Sequence, residues 1–457
     1  MVCKSITNFR GYIGGNPNEN PKQDYREILS KNITDELENE DYRSRSKDGR
    51  TGVFTRDRKL TFNNLISIII IFKSSIQREL DSFFKALSKS DFKIREVTKG
   101  ALSQARAKLN PWAFIRLNEV AVNTFYDRAE YYQWYGMRTL AVDGSRTVLP
   151  NHPSVIEEFG QHEFGPKAES KRSLAVVSML YDVLNQVTID AQIAPYASSE
   201  SSLLVKHLDK VQKGDLLLLD RGYPSFWLLF LLKAKGAEFC VRLKGDWWLK
   251  VKDFAQSAEL ERLVRFKLPK KDRRKLAEYP EMLDIEITCR LIKVELPTGE
   301  TEILCTSLSD AEKYPYQEFE PLYHYRWQEE EAYKLLKNRI EIENFSGKTA
   351  KAVKQDFHAK VFLMTLCATY AHPIEEKVTQ EYKADQNRMH SQKINRTNAI
   401  SMTQEIIIGV MIRKQFTKAL EAFDQIVAQT REIIRPGRYN PRNKKPKKLY
   451  SMNYKRL

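Results

Sequence analysis

The sequence predicts a mixed α/β fold with a central sheet, and three observations lead to this fold class. First, three successive β-type runs at 139–149, 173–183 and 187–194 are joined by turns. Second, helical and strand-like runs alternate from residue 199 to residue 244. Third, helical periodicity dominates on both sides of this stretch, so helical N- and C-terminal regions are expected.

Each element of the alternating stretch has its own signal. The run 199–211 carries apolar residues at helical spacing after serines that are candidate caps. The leucine run 216–219 ends at a turn with Gly and Pro, which is typical of a buried strand that leaves a sheet. A short helix at 225–235 stops at a glycine, and 238–244 is a further strand. With a helix from about residue 321, the order β-β-β-α-β-α-β then α is that of the ribonuclease H-like fold.

Charge and composition limit the function. The chain has 75 Lys and Arg against 59 Asp and Glu, a net charge of +16, so a polyanion is the expected partner. Its five cysteines and seven histidines show no spacing typical of structural zinc or of a disulfide framework. The longest apolar run, 65–72, is too short to cross a membrane, and no signal peptide precedes it. The chain is therefore expected to have no membrane partner. The Gly-Lys-Thr at 347–349 lacks the upstream glycine of a phosphate-binding loop, so no nucleotide cofactor is expected.

The chain is predicted to have four regions. Residues 1–50 are rich in Asn, Asp, Lys, Gly and Pro and predict a flexible arm. Residues 51–135 are helical and are the candidate DNA-binding region. Residues 136–372 form the predicted ribonuclease H-like domain, with a β-rich inserted subdomain at about 246–320. Residues 373–457 are predicted to be helical and to end in a basic tail.

Two segments are candidate DNA contacts. A helix capped by Thr98 is predicted to turn four polar side chains outward, as a DNA-reading helix would, although a solvated amphipathic helix explains the pattern equally well. These side chains are Ser103, Gln104, Arg106 and Lys108. The insert carries a basic cluster that either contacts phosphates or forms a solvated loop. It consists of Arg265, Lys267, Lys270, Lys271, Arg273, Arg274 and Lys275.

Two aspartates stand where chemistry is expected. Asp143 lies in the first strand and Asp220 ends the fourth, and these two strands are adjacent in the predicted fold. Two like charges at such a place need a cation, and hard divalent ions with oxygen ligands supply it. A pair of such ions activates a water or a 3′-hydroxyl for in-line phosphoryl displacement. Taken alone, either aspartate is more often a turn or cap residue.

A third acid is expected on a helix that packs against the sheet, within 323–337. At about 100° per residue, four side chains of this helix share an arc of about 60° on one face. They are Tyr323, Arg326, Glu330 and Lys337. Glu329 is predicted to point elsewhere, so Glu330 is the expected third acid. The alternative is an exposed face with ion pairs between adjacent turns, each worth only tenths of a kcal/mol.

The pattern Tyr-x₂-Arg-x₃-Glu-x₆-Lys resembles the Y-R-E-K signature of a large group of bacterial insertion-sequence DDE transposases. The resemblance includes the surroundings of Asp143 and Asp220 and spans roughly 138–371. It implies that Asp143, Asp220 and Glu330 bind two Mg²⁺ ions, with Mn²⁺ as a substitute. It also implies an enzyme that cleaves DNA at insertion-sequence ends and joins the 3′-hydroxyl ends to target DNA by two-metal phosphoryl transfer.

The resemblance further implies partners and DNA-contacting residues. The expected partner is double-stranded DNA, namely the element ends and the target, and the protein is expected to bind it as a homodimer. Its expected location is the bacterial cytoplasm, with association with the nucleoid when it is bound to DNA. Phosphate contacts are expected from charged or polar side chains that match bidentate or point-charge recognition. For three of them, Arg221, Arg242 and Lys244, an ordinary surface cation is the alternative. The full set of expected DNA-binding residues is Tyr323, Arg326, Trp327, Lys337, Arg221, Arg242 and Lys244.

One position departs from the pattern of some relatives. Relatives that excise through hairpin ends use a tryptophan in the insert to handle a flipped base, and Glu302 stands at that position. Trp247 and Trp248 are candidates for that role, with core and rim packing as the alternative. Two other functions also stay open: a metal-dependent DNA nuclease without joining, and a non-catalytic DNA-binding repressor.

Overall fold

A computed structural model of the chain describes residues 24–435 apart from short segments. These segments are 48–49, 51, 55–58, 74, 165–169, 296–299 and 386–388. The first part of the predicted arm and the predicted basic tail after residue 435 therefore lie outside the described residues. Among the helices that are described, none combines the length and the apolar character needed to cross a membrane.

Helices occupy much of the described chain before the first strand. The first helix begins where the Asp24 side chain accepts a backbone hydrogen bond, and Leu29, Ile33 and Leu37 repeat at one-turn spacing on its buried face. The prediction of a flexible arm is therefore wrong for residues 25–45, where apolar periodicity outweighs the polar composition. The helices are α1 (Tyr25–Glu38), α2 (Glu40–Arg45), α3 (Phe62–Ile71), α4 (Ile76–Ser88), α5 (Lys99–Arg106) and α6 (Trp112–Arg128).

After α6, the chain forms strands and helices in the predicted order, with additions in one link. The link between the first two long strands is more than the predicted turn, because it holds a helix and a two-stranded hairpin. The elements are β1 (Thr139–Val148), α7 (Pro153–Phe159), β2 (His162–Phe164), β3 (Ser170–Arg172), β4 (Leu174–Asp182), β5 (Val187–Pro195), α8 (Glu200–His207), β6 (Leu216–Leu219), α9 (Phe226–Ala234) and β7 (Glu238–Leu243).

The predicted insert contributes strands to the central sheet. It forms α10 (Leu249–Gln256), β8 (Glu261–Lys267), β9 (Glu286–Glu295) and β10 (Thr301–Thr306). Because β10 runs antiparallel to β7, the insert lengthens the central sheet and is not a separate sheet beside it. The basic cluster lies largely on the 3₁₀ helix Lys270–Leu276 between β8 and β9.

The central sheet of the described residues has eight strands in the order β5-β4-β1-β6-β7-β10-β9-β8. β1 is antiparallel to β4 and parallel to β6, and β6 is parallel to β7. The four leucines of β6 are fully buried, as expected for a central parallel strand covered on both faces. This arrangement confirms the predicted ribonuclease H-like sheet.

The C-terminal part is helical, as predicted. Its 35-residue helix α13 is buried over most of its length and packs against α6, β5 and α3. The elements are α11 (Phe319–His324), α12 (Trp327–Asn338), α13 (Ala350–Ala384), β11 (Gln392–Ile394), α14 (Arg396–Ile407), α15 (Phe416–Gln429) and β12 (Arg431–Ile433).

Arg106 joins the N-terminal helices to α13. Its buried guanidinium donates to Gln355 Oε1 and Asp356 Oδ1, both at 2.9 Å, and to Ser346 Oγ at 2.8 Å. The prediction that Arg106 faces outward is therefore wrong, because a carboxylate, an amide and a hydroxyl compensate for burial of the charge. The other three polar side chains predicted to face outward are exposed, namely Ser103, Gln104 and Lys108.

Candidate active site

The two aspartates meet where the parallel pairing of β1 with β6 ends. Val142 of β1 pairs with Leu219 of β6, so Asp143 and Asp220 each follow the last paired position directly. The backbone N–H of the next residue donates to each carboxylate, at 2.8 Å for Asp143 and 2.6 Å for Asp220. The structure thus brings together the two acids that the strand pattern singled out.

The segment expected to carry the third acid is not one continuous helix. The backbone N–H of Arg326 bonds to the carbonyl of Tyr323, three residues back, and a turn at 325–326 separates α11 from α12. The prediction of a single helix over 323–337 is wrong at this point. Both turn residues still have right-handed helical φ and ψ, so the predicted face survives the break.

Glu330 lies at the site with Asp143 and Asp220. Its Oε1 accepts a hydrogen bond from Arg326 Nη2 at 3.1 Å, and its side chain is 31% exposed. Burial raises the pKa of Asp143, the Gly144 N–H and the Arg326 charge lower it, and the charges of Glu330 and Asp220 raise it. The acids predicted to act together therefore lie close enough to influence one another electrostatically.

Tyr323 and Lys337 hold the two strands next to the aspartates. The Tyr323 hydroxyl donates to the carbonyl of Leu219 at 3.2 Å. Lys337 Nζ donates to Ser145 Oγ at 2.7 Å and to the carbonyl of Arg146 at 2.6 Å. These contacts fix α11 and α12 against β6 and β1, and the guanidinium of Arg326 is buried between the two helices' adjoining ends. Their expected DNA contacts stay predictions.

Glu329 is a functional-site residue that helix angles missed. It is 0% exposed, and its Oε1 accepts a hydrogen bond from the backbone N–H of Asp143 at 2.8 Å. Burial and then the charge of Asp143 raise the pKa of Glu329 well above its usual value. The expectation that Glu329 points away from the site is wrong, because the packing of α12 against β1 brings this carboxyl group to the Asp143 N–H.

Arg242 and Glu302 form an ion-pair chain with Asp220. Arg242 donates from Nε at 2.9 Å and Nη2 at 2.6 Å to Asp220 Oδ1, and its Nη1 pairs with Glu302 on β10. Burial raises the pKa of Asp220, but the Arg221 N–H and the guanidinium groups of Arg242 and Arg326 outweigh it, so the pKa is lowered. The glutamate at the departure from the family pattern is thus the second partner of Arg242.

Three of the predicted DNA-binding side chains face solvent beside the acids. Arg221 and Lys244 are exposed, and Trp327 is 48% exposed. Trp248 stacks on Phe226 with 4.0 Å between ring centroids, which supports the core-packing interpretation of this tryptophan. The exposed set offers two cations and one aromatic face to a nucleic acid.

Glu200 at the start of α8 is a fourth acid near these residues, and the sequence patterns did not single it out. A Cβ added to Gly144 would lie 3.0 Å from Glu200 Oε1, and one added to Gly222 would lie 3.1 Å from Oε2. Both glycines follow closely after an aspartate of the site. That spacing is the only signal in the sequence that bears on Glu200.

The donor set fits a hard divalent cation, although the side chains are arranged around guanidinium groups. In the part of the chain that the structure describes, no group of three or more Asp, Glu, His or Cys residues is placed to hold a metal ion. Carboxylate oxygens are the ligands that Mg²⁺ prefers. Arg242 and Arg326 now pair with Asp220 and Glu330, so metal binding would require these guanidinium groups to give way.

Comparison with known proteins identifies similar chains. The chain is 24% identical over 261 residues to the transposase InsG for insertion sequence element IS4 of Escherichia coli K12, covering 56% of each chain. It is 24% identical over 144 residues to the putative transposase InsZ of the same organism, covering 31% of this chain and 47% of that protein. The chain thus spans about half the length of these curated relatives.

A solved structure and a family also match. The structure is a piggyBac transposase synaptic complex with hairpin DNA, with a TM-score of 0.42, 9% identity, and coverage of 88% of this chain and 83% of that chain. The transposase DDE domain matches residues 134–367, which is just over half of the chain and includes all three predicted acids. The chain therefore belongs to the transposase DDE domain family.

Proposed function

We propose that the protein is a DNA transposase that cleaves DNA at the ends of its element and joins the 3′-hydroxyl ends to target DNA. The observation that carries this proposal is the meeting of three acids from separate elements: Asp143 in β1, Asp220 after β6, and Glu330 on α12. Membership of the DDE family and similarity to transposases support it.

The proposed chemistry has two phosphoryl-transfer steps. In cleavage, a water oxygen attacks phosphorus and the P–O3′ bond breaks, leaving a 3′-hydroxyl and a 5′-phosphate. In joining, that 3′-oxygen attacks a target phosphorus and displaces the target's own 3′-oxygen. One bond forms and one breaks in each step, so no nucleotide cofactor is needed.

The three carboxylates would hold divalent cations, Mg²⁺ with Mn²⁺ as a substitute, which activate the attacking oxygen and stabilise the leaving one when bound. The guanidinium groups of Arg242 and Arg326 would balance the charge of the acids until a cation and a DNA phosphate arrive. Tyr323 would keep the end of β6 in position and Lys337 would keep β1 in position, each through its contact with a backbone carbonyl.

DNA binding is proposed from exposed cations at two places. Beside the acids these are Arg221 and Lys244, with Trp327 available to stack on a base. On the insert, part of the basic cluster is neutralised, since Arg273 pairs with Asp284 and Lys275 lies near Asp272. The cations of the 3₁₀ helix that are exposed and have no ion pair among the described residues are Lys270, Lys271 and Arg274.

Because two element ends must be paired, a homodimer on DNA is part of the proposal.

The test compares neighbouring glutamates on one helix. Purified protein is incubated with DNA carrying the element's ends, with Mg²⁺ or with EDTA, and cleaved and joined products are separated on gels. Glu330→Gln should abolish both products. Glu331→Gln should not, because Glu331 is exposed and pairs with Lys334.

The other outcomes select the other two functions. Metal-dependent cleavage without joining would identify a nuclease. DNA binding without cleavage by wild type and both variants would identify a repressor. Equal loss of activity in Glu330→Gln and Glu331→Gln would contradict the assignment of Glu330.

A further inference from the structure

Glu200 lies against a glycine close after each of the two aspartates. Its Oε1 lies against Gly144, one residue after Asp143, and its Oε2 lies against Gly222, two residues after Asp220. The two oxygens of one carboxylate therefore lie beside both aspartates at once. Partial burial and then the charges of Asp143 and Asp220 raise the pKa of Glu200, in agreement with this position.

The two glycines leave room for the carboxylate. Neither Gly144 nor Gly222 has a positive φ, so the backbone conformation does not require glycine at either position. An alanine would place its Cβ 3.0 or 3.1 Å from a Glu200 oxygen, closer than an ordinary van der Waals contact. Space for the Glu200 side chain therefore accounts for the missing side chain at both positions.

Tyr223 gives independent support for a ligand at this place. Its hydroxyl is buried and has no hydrogen-bond partner in the described part of the chain. Burial raises the pKa of Tyr223 well above its usual value, and the charges of the nearby acids Glu329, Glu200, Asp143 and Asp220 raise it further. A buried hydroxyl left without a partner costs roughly 1–3 kcal/mol. A ligand bound among these acids, or a water on that ligand, would satisfy it.

We propose that Glu200 is a fourth acid of the active site and binds the same divalent cations as Asp143 and Asp220. This inference rests on the proposed function, because it concerns the metal ions of that reaction. Glu200 is solvent-accessible, and no hydrogen bond or ion pair to another described residue occupies its carboxylate. It differs in this from Glu329, whose Oε1 already accepts the Asp143 N–H. A divalent cation would convert the repulsion among the three acids into shared ligation.

The first test measures metal binding and not activity. Mn²⁺ is titrated into the full-length protein without DNA, and free Mn²⁺ is followed by electron paramagnetic resonance. Glu200→Gln should weaken the Mn²⁺ affinity at least about tenfold. Asp209→Asn, which removes an exposed acid just after α8, should leave it unchanged. Urea unfolding of each variant without metal checks that it is folded.

The outcomes separate this inference from the proposed function. If Asp143→Asn loses Mn²⁺ binding while Glu200→Gln binds as wild type does, the role of Glu200 is wrong and the proposed function stands. If the wild-type protein binds no Mn²⁺ at millimolar concentration, the two-metal reaction fails, and the role of Glu200 fails with it.

A second variant tests the geometry. Gly222→Ala alone should weaken Mn²⁺ binding, because its Cβ would press on Glu200 Oε2. The same substitution in a Glu200→Ala background should have no further effect, because the contact has been removed. An equal loss in both backgrounds would overturn the contact between Gly222 and Glu200 as the cause.

Discussion

Arg242 donates two hydrogen bonds to one oxygen of Asp220, from Nε at 2.9 Å and from Nη2 at 2.6 Å. Its third nitrogen pairs with Glu302. One guanidinium group thus neutralises an acid of the site and an acid of the insert at the same time. Because β7 carries Arg242 and β10 carries Glu302, the strand added by the insert directly supports the aspartate on the neighbouring parallel strand.

Removing Arg242 should therefore separate stability from metal binding. Arg242→Met removes the guanidinium partner of two partly buried carboxylates, and we expect a loss of about 1–3 kcal/mol in the free energy of unfolding without metal. Added Mn²⁺ should stabilise this variant more than it stabilises wild type, because the cation no longer competes with the guanidinium. Urea unfolding with and without Mn²⁺ measures both effects.

The control for Arg242 is another arginine that bridges two acids. Arg262 contacts Asp253 and Glu259 at a solvent-exposed place in the insert. Arg262→Met should lose less stability, because exposed ion pairs are screened by solvent, and Mn²⁺ should stabilise it only as much as it stabilises wild type. If both arginine variants respond alike to Mn²⁺, the contact between Arg242 and Asp220 has no bearing on metal binding.

Glu329 should act through the backbone of Asp143. Glu329→Gln keeps an oxygen that can accept the Asp143 N–H, so we expect stability close to that of wild type. Glu329→Ala leaves that buried N–H without its acceptor and should cost roughly 1–3 kcal/mol, with reduced DNA cleavage because Asp143 is less well positioned. Unfolding curves and the cleavage assay test the pair. Equal cleavage by wild type and Glu329→Ala would contradict a positioning role.

The acids differ in how far sequence reasoning could reach them. Asp143 was predictable because it lies in an apolar strand, Asp220 because it ends one, and Glu330 because it shares a helix face with an arginine and a lysine. Glu329 was not predictable from helix angles, because these angles do not say which side chain of α12 reaches the backbone of β1. Glu200 comes to the site through the packing of α8 against β1 and β4, which no local pattern encodes.

Arg106 should behave as a core residue and not as a DNA contact. Arg106→Ala would leave Asp356 buried without its cation, at a cost of about 3–5 kcal/mol. Lys108→Ala, at an exposed position two residues further, should change stability little. Chemical denaturation measures the difference. If Arg106→Ala left the stability unchanged but weakened DNA binding, the result would contradict a core role and support the predicted role of Arg106 as a DNA contact.

Two buried histidines of α13 should make the protein sensitive to acid. Burial lowers the pKa of His358 and of His372 from 6.5 to about 4. For His358, the charge of Lys354 also lowers the pKa and that of Asp190 raises it. For His372, the hydrogen bond to the carbonyl of Glu130 raises the pKa. Both raising effects are too weak to offset burial.

Between pH 6.5 and about pH 4, the unfolded chain binds protons at these two histidines that the folded chain does not bind. The free energy of unfolding should therefore fall as the pH falls. The expected slope is about 1.4 kcal/mol per pH unit for each histidine between pH 6.5 and 4, with no contribution above that window. Urea unfolding at a series of pH values should show a smaller slope for His372→Gln than for wild type. His324→Gln, at an exposed position, should keep the wild-type slope, and equal slopes in all three proteins would mean that His372 is charged in the folded state.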